Sequence, residues 1–233
     1  MIIHRDETLR VVVKITTPLK DAEDIGTGMF VVKGTKWPYL VTASHVAKAT
    51  TDETTVILAD AEGLAVKCQL TAFNKRLAWK HHPVADVSAL PIIMTERLAY
   101  HMDQRCLTLD QFHTEKVPVS RDCELTTVGF PHGLGADKTF SPLSFRSYAS
   151  SGVVTLERND SHTAQDFFLL EDASVGGYSG AGVLDLGYRM VGGVAQQTSE
   201  GAVCYGIVHG TLADKSGGAM AAITPAYYLK DIL

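Results

Sequence analysis

Residues 174–185 read SVGGYSGAGVLD, with Ser179 set among Gly176, Gly177, Gly180 and Gly182 in a run that otherwise has strand character. Glycine weakens a strand interior, so this density around one serine needs a reason. A tight turn is one reason. The other is a nucleophile whose neighbouring backbone N–H groups aim at a developing oxyanion, where a side chain would obstruct. These twelve residues leave both open, and the rest of the chain must decide.

Outward from that stretch, short runs rich in Val, Ile, Leu, Thr and aromatics recur between Gly, Pro, Asp and Asn. LRVVVKIT, GMFVVKG, YLVTAS, TTVILAD and DVSALPII come early, and ELTTVGF, DFFLLE, AGVLDL, RMVGGVA and AVCYGIVHG late. Regular short strands with few helical patterns predict an all-β chain, a barrel or a sandwich. Helix is expected in only two places. SHVAKAT makes about one turn, and TPAYYLKDIL opens with Thr224 as N-cap and Pro225 as first helical residue. The pattern lapses between about residues 100 and 122, which suits a connection between two strand-rich halves. The expected division is 1–105, a connection over 106–122, a second half over 123–224 and a C-terminal helix over 225–233.

Charge and composition narrow the partners. The 233 residues carry 21 basic and 26 acidic side chains, net −5, with no basic run. Nucleic acid is therefore not expected as a partner. No apolar run is long enough for a bilayer, and MIIHRDETLRVVVKITTPL lacks the pattern of a secretory signal. Cys68, Cys106, Cys123 and Cys204 are scattered without a C-x-x-C pair, so reduced thiols and a cytoplasmic location are expected. His81 and His82 lack the spaced partners of a zinc site. No metal and no cofactor is expected.

A serine hydroxyl is a weak nucleophile near neutral pH unless a base takes its proton, usually a histidine held by a carboxylate. His45, in YLVTASHVAKA, follows a closing strand where a short helix starts. Asp86, in HHPVADVSALPI, stands at the mouth of an apolar strand, where a carboxylate is costly unless something donates to it. Each alone has an ordinary structural reading, as a satisfied core histidine and a strand-edge cap. Together TASHV, ADVSALP and GGYSGAGV, in that order, resemble the trypsin-like, chymotrypsin-fold serine peptidases, and most of all the HtrA-type branch. GTGMFVVKG, VGFPHGLG and SSGVVTL resemble further pieces of that branch.

The resemblance implies two antiparallel β-barrels with a short C-terminal helix, and a protein or peptide substrate held between the barrels. It implies His45 as general base and then general acid, Asp86 as its orienting carboxylate, Ser179 as nucleophile, and the N–H groups of Gly177 and Ser179 as oxyanion hole. It also implies that Ala173 stands at the base of the specificity pocket and that the strand MVGGVAQQ walls it. Ala195 then takes the place of a serine that often supports the aspartate, with Gln196 and Gln197 beyond it. With no acid at Ala173 and Val194 where glutamate-specific relatives carry histidine, a small or medium aliphatic residue is expected before the cut.

The chain departs from the family at Tyr178, before the serine, and at Ala181-Gly182, after it, so activation by a new N-terminus is not expected. Nothing like the PDZ module of many HtrA-type proteins follows the C-terminal helix. Restraint until a partner or substrate orders the glycine-rich segments 132–137 and 174–182 is the expectation, which gives an activating partner a place. Two rivals stand beside this reading. One is an α/β-hydrolase nucleophile elbow, which needs a helix right after the serine, whereas GVLDLGYRMVGGVA follows. The other is a catalytically silent binding scaffold, which has no physical need of all three residues.

Overall fold

Successive residues of a strand face opposite ways, and β2 (Glu23–Lys33) is apolar on both faces. Phe30 turns into one core cluster while Met29 and Val31 turn into another. Such a strand must be covered on both sides, and the architecture follows from that need. The computed structural model describes residues 9–34, 37–96, 98, 105–158, 160–197, 201–213, 215 and 217–233. The first four residues of the stretch expected to lapse after residue 100 fall outside this set.

The first sheet gathers β1 (Val12–Pro18), β2, β3 (Trp37–Thr42), β4 (Thr55–Ala59), β5 (Ala65–Gln69), β6 (Lys80–His81), β7 (Ser88–Pro91) and β8 (Leu107–Thr108). Its order is β5-β4-β1-β2-β3-β7-β6, all antiparallel, with β8 added to β2 in parallel. The second sheet holds β9 (Leu125–Gly129), β10 (Leu143–Ser147), β11 (Val154–Glu157), β12 (Ala164–Leu170) and β13 (Gly182–Asp185). After β14 (Tyr188–Val191) and β15 (Val194–Gln197), which among the described residues pair only with each other, β16 (Val203–Ala213) and β17 (Ala219–Pro225) complete it in the order β10-β9-β13-β16-β17-β12-β11.

The chain is all-β, as expected, but the sheets are not closed barrels. Among the described residues β5 and β6 stay as edges of one sheet and β10 and β11 of the other. Loops serve those edges where a pairing strand would close a barrel. Leu64 makes a single bridge to Thr139 and Ala65 donates to the Lys138 carbonyl, so β5 leans on a loop of the other half.

Three apolar clusters follow. One lies within the first sheet around Phe30, Leu40 and Phe73, and one within the second around Leu125, Phe168 and Val208. The third joins the two, with Met29 and Val41 from one side and Val128, Leu184 and Ile207 from the other. A site between the sheets therefore rests on a common core.

Helix is scarce. α1 (Ser44–Ala49) buries Val46 and Ala47 directly after β3. The C-terminal helix is a 3-10 turn over Ala226–Asp231, and it begins later than expected. Thr224 does not cap it. That residue still belongs to β17, and its hydroxyl accepts from Gln165 Nε2 at 3.0 Å.

Candidate active site

The serine loop is shaped by contacts that only glycine permits. Gly177 has φ +102°, and a Cβ there would lie 2.1 Å from the Phe130 carbonyl oxygen. Gly180 has φ +89°, and a Cβ there would lie 2.1 Å from the Thr27 carbonyl oxygen. Thr27, from the centre of GTG in β2, ties the loop to the first sheet. Its N–H donates to the Ser179 carbonyl at 2.8 Å and its hydroxyl to the Gly177 carbonyl at 2.7 Å. The same hydroxyl accepts from the Phe130 N–H at 3.2 Å. Neither the Gly177 N–H nor the Ser179 N–H has an acceptor among the described residues. Backbone donors are rarely left so in a folded chain, and these two lie on the serine itself and two residues before it.

Tyr178 and Ala181 turn away from that opening. Both are buried in the core of the second sheet, where the Tyr178 ring meets Phe145 edge-on at 5.0 Å. The residues that depart from the family pattern thus serve packing and leave the loop open.

His45, at the start of α1, and Asp86, just before β7, meet directly. His45 Nδ1 lies 2.7 Å from Asp86 Oδ2, and the His45 backbone N–H donates to Oδ1 at 3.0 Å. The carboxylate is fully buried, and the donors its burial demands are present. Arg158 Nη2 donates to Oδ1 at 3.2 Å, and His209 Nδ1 lies 2.5 Å from Oδ2. Gln165 Oε1 accepts the Asp86 N–H at 2.7 Å and so fixes the loop. Burial pushes the Asp86 carboxyl up, but the hydrogen bonds from His209 and His45, with their charge, hold it well below the usual carboxylate range. An ionised carboxylate only accepts, so both imidazoles carry their proton on Nδ1. Neutral His45 therefore presents an unprotonated Nε2. Burial lowers the His45 pKa, and Asp86, with Asp160 and Asp24 behind it, raises it by more, leaving it above the ordinary 6.5.

Ser179 completes the geometry differently from the expected chain of bonds. Its hydroxyl donates to the His209 carbonyl at 3.2 Å, and no hydrogen bond joins it to His45. Links of this kind are often loose without substrate.

The specificity strand expected from the sequence lies elsewhere. Residues 188–197 fold back on themselves about Gly192 and Gly193, at φ +58° and +82°, the paired positive values of a two-residue hairpin turn. Ala195 pairs with Met190 within that hairpin, Gln196 is exposed, and Gln197 Nε2 donates to the Leu186 carbonyl at 3.0 Å. The strand beside the serine is β16, where Gly180 donates to the Val208 carbonyl at 2.8 Å. The support for Asp86 that the sequence reading assigned to the position of Ala195 comes from His209. Ala173 is exposed ahead of the serine loop, and Thr211 Oγ1 donates to the Ser174 carbonyl at 2.6 Å beside it.

His209, Arg158, Gln165 and Thr27 were not singled out from the sequence for this site. His209 had a visible signal, a lone imidazole in the apolar run GIVHG. The same cluster bears on metal binding, since His45, Asp86 and His209 offer ligand atoms within 4.8 Å of one another. Both Nδ1 positions serve as donors to Asp86, however, and Arg158 puts positive charge on the carboxylate a cation would use. The cluster suits hydrogen bonding better than metal.

A serine loop with open N–H groups beside a His-Asp pair, between two antiparallel sheets, is matched by a family described as "Trypsin-like peptidase domain" over residues 26–192. The chain belongs to that family. As a member it is a serine endopeptidase, and the α/β-hydrolase reading falls with the fold. Among solved structures it resembles the active form of the Rv3671c protease from M. tuberculosis, at 17% identity and TM-score 0.63, with 97% of this chain and 80% of that one covered. It also resembles an HtrA-type protease, AlgW, bound to a decapeptide, at 16% identity and TM-score 0.54, with 94% of this chain and 62% of that one covered. The serine endoprotease of Yersinia pestis aligns at 14% identity and TM-score 0.51, covering 97% of this chain and 64% of that one. At such identities these likenesses concern the fold. No curated protein matches the sequence.

Proposed function

We propose that the chain cleaves peptide bonds through an acyl-enzyme on Ser179. His45 Nε2 takes the hydroxyl proton as Ser179 attacks the scissile carbonyl, and gives it to the leaving amine. Asp86 holds the Nδ1–H tautomer and stabilises the imidazolium. The Gly177 and Ser179 N–H groups receive the oxyanion, a contribution worth about 10²–10³ in rate per donor in such sites. The observation that carries this reading is the juxtaposition of an ionised, buried Asp86 on His45 Nδ1 with two unengaged N–H groups at Ser179.

Specificity is for a small or medium aliphatic residue before the cut. Ala173 offers no acid to a basic side chain, and the Thr211 hydroxyl beside it is spent on the Ser174 carbonyl. A peptide library incubated with the protein tests both points. Cleavage after aliphatic residues, lost in Ser179→Ala, supports the proposal. Cleavage mainly after Arg, Lys or Glu overturns the specificity, and cleavage that survives in Ser179→Ala overturns the mechanism.

The enzyme is selective and restrained. The Ser179 hydroxyl rests on the His209 carbonyl, so the nucleophile must turn toward His45 before it reacts. Substrate or an activating partner ordering the loop favours that turn. Rapid degradation of casein by the isolated protein would contradict such restraint. A silent binding scaffold is the second reading, favoured by the same resting hydroxyl. A reducing, cytoplasmic setting suits the thiols of Cys106 and Cys204, which burial pushes up to about 11 and about 12. No helix among the described residues is long and apolar enough to cross a membrane.

A further inference from the structure

His209 is the feature of the site that the proposed reaction leaves without a task. It sits at a break in the β16–β17 register, where Val208 faces Ile223 and Gly210 already faces Ala222. The extra residue on β16 is His209 itself. A bulge re-aims the side chain it carries, and this one delivers the imidazole to Asp86 Oδ2, the oxygen His45 also uses. The two rings meet edge-on at 5.7 Å, and Phe167 packs on His209 at 5.2 Å.

From this arrangement we infer that His209 is a positioning residue that shares the charge of Asp86 with His45 and thereby sets how firmly His45 holds its proton. The inference rests on the peptidase reading and deepens it. A second N–H on Oδ2 spreads the carboxylate charge, leaving less for a His45 imidazolium. That makes His45 a weaker base, and the effect vanishes without the imidazole. The charged and titratable groups around the pair are Asp86, Arg158 and Asp160, with Asp24 acting on His45 from the side of β2. Arg158 is held by Asp160 and by the Val84 carbonyl as well as by Asp86, so it stays in place when His209 is replaced.

The test is a titration of the histidine ring nitrogens by NMR, run beside the pH profile of kcat/KM. In the wild type both rings are expected as Nδ1–H tautomers, as their contacts with Asp86 require. In His209→Ala, the His45 midpoint is expected to rise by about half a pH unit or more, a modest shift beside those that buried neighbours cause. The acid limb of kcat/KM is expected to move with it. In His209→Asn, which can still donate to Asp86, the His45 midpoint is expected between those of the wild type and His209→Ala. An unmoved His45 midpoint in His209→Ala overturns the inference, as does a wild-type His209 ring that carries its proton on Nε2 and so cannot donate to Asp86. Ring titration does not depend on turnover. An unmoved His45 midpoint in a protein that acylates Ser179 therefore sinks the role of His209 alone, whereas absent acylation sinks the peptidase reading.

Discussion

At the residue scale, the glycines of the serine loop are required for two separate reasons, backbone hand and close approach. Gly177→Ala must place a methyl 2.1 Å from the Phe130 carbonyl oxygen at φ +102°. The loop has to move, at a cost of about 1–3 kcal/mol, and with it the Gly177 N–H. We expect kcat/KM to fall by roughly 10²-fold or more, read by steady-state kinetics beside a thermal melt. Gly176 has open space around it and serves as the control, with alanine expected to cost little. The pH dependence follows from His45. Its imidazole must be neutral to act as base, and Asp86 holds the proton on it to a higher pH than the ordinary 6.5. Activity is therefore expected to fall as pH drops through a midpoint above that value, and a midpoint below it would contradict the His45–Asp86 contact. These residues were legible because each announces itself to its neighbours in sequence, the serine by its glycines and the aspartate by the apolar strand it opens. His209 and Arg158 were not, because the carboxylate they serve lies 123 and 72 residues away and no local pattern reports that distance.

At the scale of elements, β2 is the strand that turns two sheets into one site. Thr27 is fully buried, and its hydroxyl both donates to Gly177 and accepts from Phe130. Thr27→Val keeps the shape and strands both backbone groups, which predicts a loss of about 1–3 kcal/mol with kcat falling more than KM rises. Denaturant unfolding and kinetics together check this. Elsewhere the sequence pattern misled. RMVGGVA looks like one apolar strand, but positive φ at Gly192 and Gly193 folds it into a hairpin, so β15 leaves the serine to β16. The bulge at His209 was equally hidden, since a one-residue shift in register leaves no mark on composition.

For the molecule as a whole, alternation and turn residues made the all-β class plain, while whether each sheet closes depended on long-range pairing that alternation does not encode. The C-terminal turn shows how distant chain supports the site. Asp231 reaches His82 Nε2 at 3.1 Å, and His82 Nδ1 accepts from the Val84 and Ala85 N–H groups just before Asp86. Leu229, fully buried in the shared core, anchors that turn. Leu229→Ala is expected to cost about 2–5 kcal/mol, seen as a lower denaturation midpoint, with activity falling in step. The central claim, that His45, Asp86 and the open N–H groups serve Ser179 as a nucleophile, is tested most directly by intact-mass analysis after exposure to a fluorophosphonate, with Ser179→Ala alongside. One adduct on the wild type and none on the variant is the predicted result. A wild type that takes no adduct, or a variant that still does, would contradict it.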